Sequence, residues 1–234
     1  MGLAVALLLP LSFYWYGVYI VRDAVSSKKI HLPYYYITDK VDTTVVNGKP
    51  QYDTVYHQAA DVQLTNQLGQ LVSINNDLKG KVILVDFFFA NCTTICPRLT
   101  RGMALMQRAF RRTESRQSDT LLQLISMTVN PTRDSFPALR AYADRYGANH
   151  DRWWFLTGPK PLIYNYARHE LHVTVEPGDG GDDDFIHTEK VVLLDKDRFI
   201  RGYYNGLDSA DMKRCADDII LLTVENKHKK NNSK

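Results

Sequence analysis

No charge interrupts residues 2–21, which read GLAVALLLPLSFYWYGVYIV. At the helical rise of about 1.5 Å per residue this run matches the thickness of a hydrocarbon core, so it predicts a transmembrane helix, with residues 1–21 as an anchor. Trp15, Tyr16 and Tyr19 lie toward one end, as interfacial aromatics do, and Pro10 would kink the helix without preventing insertion. A cleaved signal peptide is the alternative reading, but the run has no basic leader and no clear small-residue cleavage site. Residues 22–60 turn polar, with Pro33, Pro50 and an Asn47-Gly48 turn, and read as a linker entering a short hairpin.

From residue 61 to about 224 the pattern alternates between strand and helix periods. Val62, Gln63 and Leu64 form a strand edge, and Asn66 to Gly69 a turn. Residues 81–89 (KVILVDFFF) and 121–129 (LLQLISMTV) are continuous apolar, β-branched and aromatic runs, which suit central strands buried on both faces. Between them Leu99, Met103, Met106 and Phe110 recur at helical spacing, with Pro97 placed where a helix start tolerates it. A helix over 137–146 stops at Gly147; 153–156 reads as a short strand, 161–168 as a helix and 171–175 as a strand. A hairpin of 189–194 and 199–204 about Lys196-Asp197 and an amphipathic helix over 208–223 close the chain before a basic tail at 225–234. Strands and helices in this order predict an α/β, three-layer domain of thioredoxin type.

Length allows one well-buried domain plus an appendage in 234 residues. The net charge is +3 and the lysines gather at the C-terminus, which leaves no basic face of the kind nucleic acid requires. Three cysteines are too few for a disulfide scaffold, and two of them stand in Cys-x-x-x-Cys, which points to redox chemistry or metal binding.

Cys92 and Cys96 lie in Asn91-Cys92-Thr93-Thr94-Ile95-Cys96-Pro97, where a buried strand meets a helix N-terminus. Unpaired N–H groups and the helix dipole there stabilise a thiolate, which is both the nucleophile of disulfide exchange and a soft metal ligand. Two thiolates leave a metal site incomplete. Among the seven histidines, His187 is the candidate third ligand, because Asp184-Phe185-Ile186-His187-Thr188 enters a strand at what should be the same end of the sheet. A lone histidine is otherwise satisfied by solvent or packing. Two thiolates with an imidazole suit three-coordinate Cu(I), or Cu(II) with a weak fourth ligand, whereas structural zinc would need a fourth strong one. Cys215 does not supply it, since Met212, Cys215, Ile219 and Leu222 mark a core stripe.

These features together resemble the Sco/SenC family of copper chaperones for cytochrome c oxidase. The resemblance spans about residues 61–222: Gly80-Lys81-Val82, Phe87 to Phe89 ahead of the Cys-x-x-x-Cys-Pro run, SMTVNPTRD at 126–134, Phe155 to Gly158, His187, and Arg201-Gly202-Tyr203-Tyr204. It implies a thioredoxin-like fold, copper held by Cys92, Cys96 and His187, and a role in assembling the CuA centre, with the CuA-bearing subunit and a copper donor protein as partners. An inner-membrane protein with its soluble domain in the periplasm is likewise implied. The basic residues Arg22, Lys28 and Lys29 after the span run against that orientation, and many relatives carry an acidic residue where this chain has Thr93 and Thr94. A thiol-disulfide oxidoreductase that reduces the CuA cysteines, with Cys92 as nucleophile and Cys96 as resolving thiol, is the competing reading.

Two further segments are weighed. The acidic run EPGDGGDDD at 176–184 lacks the alternate spacing of a calcium loop and reads as a solvated, mobile loop, with a cation-attracting lip beside His187 that serves partner docking or copper entry as the alternative. The segment 130–134, at the edge where the site should be, reads as a turn with a helix start, in which an Arg133–Asp134 pair could fix the loop, with a direct catalytic role as the alternative.

Overall fold

The two continuous apolar runs become the adjacent central strands of one sheet. In the computed structural model, which describes residues 12, 14–18, 31–46, 49–111, 122–173 and 188–232, every residue of β5 (Val82–Phe88) and of β6 (Leu122–Thr128) is buried. A strand covered on both faces has no solvent side on which polar residues could alternate, which is why these runs read as unbroken. β5 and β6 pair in parallel, and β6 pairs in parallel with β7 (Trp153–Thr157). β8 (Lys190–Leu194) lies antiparallel on the other side of β5, followed by β9 (Ile200–Asn205). With β3 (Gln63–Asn66) and β4 (Leu71–Ser73) the sheet has seven strands in the order β4-β3-β7-β6-β5-β8-β9.

The period-two alternation of β5 sorts its side chains between two cores. Val82, Leu84 and Phe88 face a layer made by α1 (Cys96–Arg111), α2 (Phe136–Arg145) and α4 (Ser209–Asn232). Ile83, Val85 and Phe87 face a second layer that includes α3 (Lys160–Asn165) and the π-helical turn Tyr166–Glu170. Helices, sheet and helices make the expected three layers. Cys215 is fully buried beside Ile219 and Leu222, as its spacing predicts. Gly147 ends the helical run at φ 66°, its N–H bonded to the Asp144 carbonyl, a left-handed position that glycine adopts without a Cβ clash.

Some elements differ from the sequence reading. Residues 171–173 form no strand, because the chain leaves the π-helical turn with Leu171 and Val173 donating back to the Tyr166 and Ala167 carbonyls; residues 174 and 175 lie outside the described residues. The hairpin is not short: β1 (Ile37–Val46) and β2 (Lys49–Tyr56) are long strands that pair only with each other among the described residues. The final helix runs past residue 223, and Glu225 is buried within it.

Glu225 is held there by Arg201, whose guanidinium donates to both Glu225 oxygens (3.0 and 2.9 Å), to Asp195 Oδ2 (2.9 Å) and to the Leu32 and Pro33 carbonyls (2.7 and 3.2 Å). The cation also lies 4.0 Å from the Tyr34 ring centroid, and Tyr34 stacks on Tyr56. Residues 31–36 are thereby bound to β9 and α4 as well as serving as linker. That attachment is at the start of β9, the end of the sheet opposite Cys92. Of the uncharged N-terminal run only Ser12 and residues 14–18 are described, and they are helical and exposed. Among the described residues no helix is long and apolar enough to cross a membrane.

Candidate metal and thiol site

Cys92 follows β5 by four residues and Cys96 is the first residue of α1, as the strand-to-helix junction requires. Both thiols are free and nearly buried, Cys92 at 9% exposure and Cys96 at 3%. The Cys96 backbone N–H donates to Cys92 Sγ at 3.4 Å, so the Cys92 sulfur takes the place of an N-cap acceptor for α1. Pro97 supplies no competing donor. The Thr94 hydroxyl lies 3.7 Å from the same sulfur.

These contacts split the two thiols. Burial alone pushes the Cys92 thiol up, but hydrogen bonds from the Cys96 thiol, the Cys96 and Thr94 N–H groups and the Thr94 hydroxyl outweigh it and bring it down to about 7. Cys96 is pushed up to about 12, first by burial and then by giving its proton to the bond with Cys92. Cys92 is therefore the thiolate of the pair near neutral pH and Cys96 its proton donor. Iodoacetamide alkylation of Cys92 in the copper-free chain is expected to rise through a midpoint near pH 7, since the thiolate reacts and its fraction grows above that pH. Cys96 should stay unmodified up to pH 9. Peptide mass spectrometry across pH 5–10 checks this, and a Cys92 midpoint near 9 would contradict it.

Asp134, in the turn read as lying at the edge of the site, supports the cysteine loop. Its carboxylate accepts from the Ala90 N–H (3.0 Å) and the Thr128 hydroxyl, pinning the loop that carries Cys92 to the end of β6. It does not pair with Arg133, because it is buried at 2% exposure and turned inward; burial, opposed by those two bonds, raises its pKa. Behind Cys96, Thr100 donates to the Cys96 carbonyl (2.8 Å) and bonds Tyr142, which packs on Phe88. Deeper in the same face lies Asp86, fully buried and bonded by Ser126, which Trp153 Nε1 also reaches. Burial pushes the Asp86 carboxyl to about 7, and one of its oxygens has no hydrogen-bond partner among the described residues.

His187 and the acidic run at 176–184 lie outside the described residues. The chain beyond them is placed. β8 pairs Val192 with Val85 and Leu193 with Leu84, and this antiparallel register continued by three residues brings Glu189 level with Phe88. The segment that follows His187 thus enters the sheet at the end where Cys92 leaves it. Among the described residues no group of three His, Cys, Asp or Glu side chains is arranged to hold an ion. The two sulfurs supply a soft, partly ionised donor pair that needs a further ligand.

The SCO1/SenC family matches residues 50–221. The chain belongs to the SCO1/SenC family. The SCO1 protein homolog of Bacillus subtilis (strain 168) is 32% identical over 174 residues, 74% of this chain and 84% of the homolog. A SCO1/SenC family lipoprotein from Bacillus anthracis str. Ames superposes with a TM-score of 0.60 at 28% identity, over 71% of this chain and 95% of that one. BsSco, described as a member of the Sco family of cytochrome c oxidase assembly proteins and as carrying a disulfide switch, superposes at 0.59 with 29% identity, over 71% and 93% of the two chains. The mixed α/β architecture is thus the thioredoxin-like fold of SCO1/SenC structures, as the order of strands and helices predicts.

Proposed function

We propose that this SCO1/SenC chain is a membrane-anchored copper metallochaperone that helps assemble the CuA centre of cytochrome c oxidase. Cys92 and Cys96 hold copper as thiolates, His187 completes the site, and the ion passes by ligand exchange to the cysteines of the CuA-bearing subunit after arriving from a copper donor protein. The observation that carries this reading is the sulfur pair at the start of α1, one thiol lowered to about 7, on a fold whose family serves oxidase assembly. Copper binding displaces the Cys96 proton, which a soft metal bound to sulfur readily does. Copper is cargo here, and Cu(I) and Cu(II) both suit the donor set. Residues 1–21 form the single-pass inner-membrane anchor, 22–60 the linker and hairpin, and residues from 61 onward the copper-binding domain facing the periplasm, which takes in the buried Glu225 and so reaches past 224 into the stretch read from sequence as a basic tail.

The split between the thiols also favours a second reading, a thiol-disulfide oxidoreductase. In it the Cys92 thiolate attacks a disulfide between the CuA cysteines, Cys96 resolves the mixed disulfide, and the chain leaves with a Cys92–Cys96 disulfide while the acceptor gains two thiols. Mixing the full-length chain with the apo CuA domain separates the readings. The chaperone delivers about one copper per acceptor and loses delivery in His187→Ala. The oxidoreductase reduces the acceptor disulfide without copper, and His187→Ala leaves that reduction intact.

A further inference from the structure

A groove of about 610 Å³ runs between α1 and the first turns of α4. Its position relative to the thiols is set by the two segments that bear the site. α1 begins at Cys96 and puts Arg98 and Arg101 on the groove within its first turns. On the other side the turn after β9 lines it with Gly206 and Leu207, and the Gly206 N–H donates to the Glu189 carbonyl (2.8 Å), two residues beyond His187. The groove therefore adjoins both the helix that starts at Cys96 and the strand entry that follows His187.

Its lining is apolar and cationic. Leu207 and Met212 are among the apolar residues that line it, and Leu105 stands beside them 60% exposed. The charged residues lining it are Arg98, Arg101 and Lys213, all cationic. Arg98 and Arg101 are exposed and neither has a hydrogen-bond or ion-pair partner among the described residues. Lys213 is only loosely neutralised, by Asp217 at 3.3 Å with both side chains exposed. Apolar side chains interspersed with largely unneutralised cations complement an apolar surface that carries carboxylates.

We propose that this groove docks an acidic surface of the protein that exchanges copper with Cys92 and Cys96, the partner inserting apolar side chains against Leu105, Leu207 and Met212 while its carboxylates meet Arg98, Arg101 and Lys213. Ligand exchange between sulfurs requires the two sites to come into bonding contact, and a docking surface next to the thiols provides that approach. The inference rests on the copper-exchange reading and names the surface and charge of the partner.

The test uses the full-length, copper-loaded chain in detergent micelles, with its methionine methyls labelled with carbon-13 and the apo CuA domain of the oxidase subunit as probe. Binding should shift the Met106 and Met212 methyl resonances, both groove residues. It should weaken roughly tenfold or more in Arg98→Glu/Arg101→Glu and in Leu105→Glu, and weaken as salt rises. Arg140→Glu, an exposed change on α2, should leave it unchanged, and all these variants should still take up copper. Transfer of copper with no shift at either methionine and no loss in the groove variants would overturn the docking surface while the chaperone reading stands. No binding and no transfer by the wild-type chain would overturn both. Shifts produced by phosphatidylglycerol vesicles and not by the CuA domain would replace the protein partner with an anionic lipid.

Discussion

Cys96→Ser is expected to lose copper affinity by more than about 100-fold while Cys92 keeps its acidity. Changes to groups that merely support metal ligands cost about 10–100-fold, so removing one of two thiolate ligands should cost more. Serine is the informative replacement. Its hydroxyl can still donate to the Cys92 sulfur, and the backbone N–H of residue 96 still lies 3.4 Å from it, so the Cys92 alkylation midpoint should remain near 7. Cys96→Ala removes the donor with the ligand, and there the midpoint should rise. Cys92→Ser should lose copper to the same extent. Competition against a chromogenic copper chelator measures the affinity, and retention within about tenfold of wild type in Cys96→Ser would remove that sulfur from the ligand set.

Arg201→Met should destabilise the domain by about 3–5 kcal/mol, the usual cost of breaking a buried charge network by removing one partner. Arg201 is 2% exposed and faces two carboxylates, Asp195 at 4% and Glu225 at 5% side-chain exposure. Methionine fills much of the volume but leaves Asp195 without its cation, leaves Glu225 with only the His31 imidazole at 2.7 Å, and frees the Leu32 and Pro33 carbonyls. Adding Glu225→Met should recover part of the loss, because one buried charge is then gone. Urea unfolding of the copper-free chain followed by circular dichroism reads both variants. A loss below about 1 kcal/mol in Arg201→Met, the range of an exposed pair, would show that the network is hydrated and not buried.

The parts of the fold legible in the sequence were those set by neighbours in the chain. β5 and β6 announced themselves through unbroken apolar runs, Gly147 through its position after a helical stripe, and Cys92 and Cys96 through spacing at a strand-to-helix junction. What escaped depends on distant partners. The final helix runs on past 223 with Glu225 buried in it, where Arg201, 24 residues earlier, donates to its carboxylate, which no local period encodes. Asp134 was expected to meet its neighbour Arg133, yet the fold turns it toward Ala90 and Thr128, and only tertiary contact reveals that it fixes the cysteine loop. Residues 171–173 carry strand-like side chains, but the preceding π-helical turn claims the N–H groups of Leu171 and Val173. The groove beside the thiols was likewise hidden, since it is assembled from α1 and, more than 90 residues later in the chain, the turn after β9 and the start of α4.

X-ray absorption at the copper edge, comparing the copper-loaded full-length chain with its His187→Ala variant, reads the ligand set itself. The predicted first shell in the wild-type chain is two sulfurs and one imidazole nitrogen, with the nitrogen lost and copper held more weakly in the variant. A shell of sulfur alone, or the same spectrum from both proteins, would contradict it.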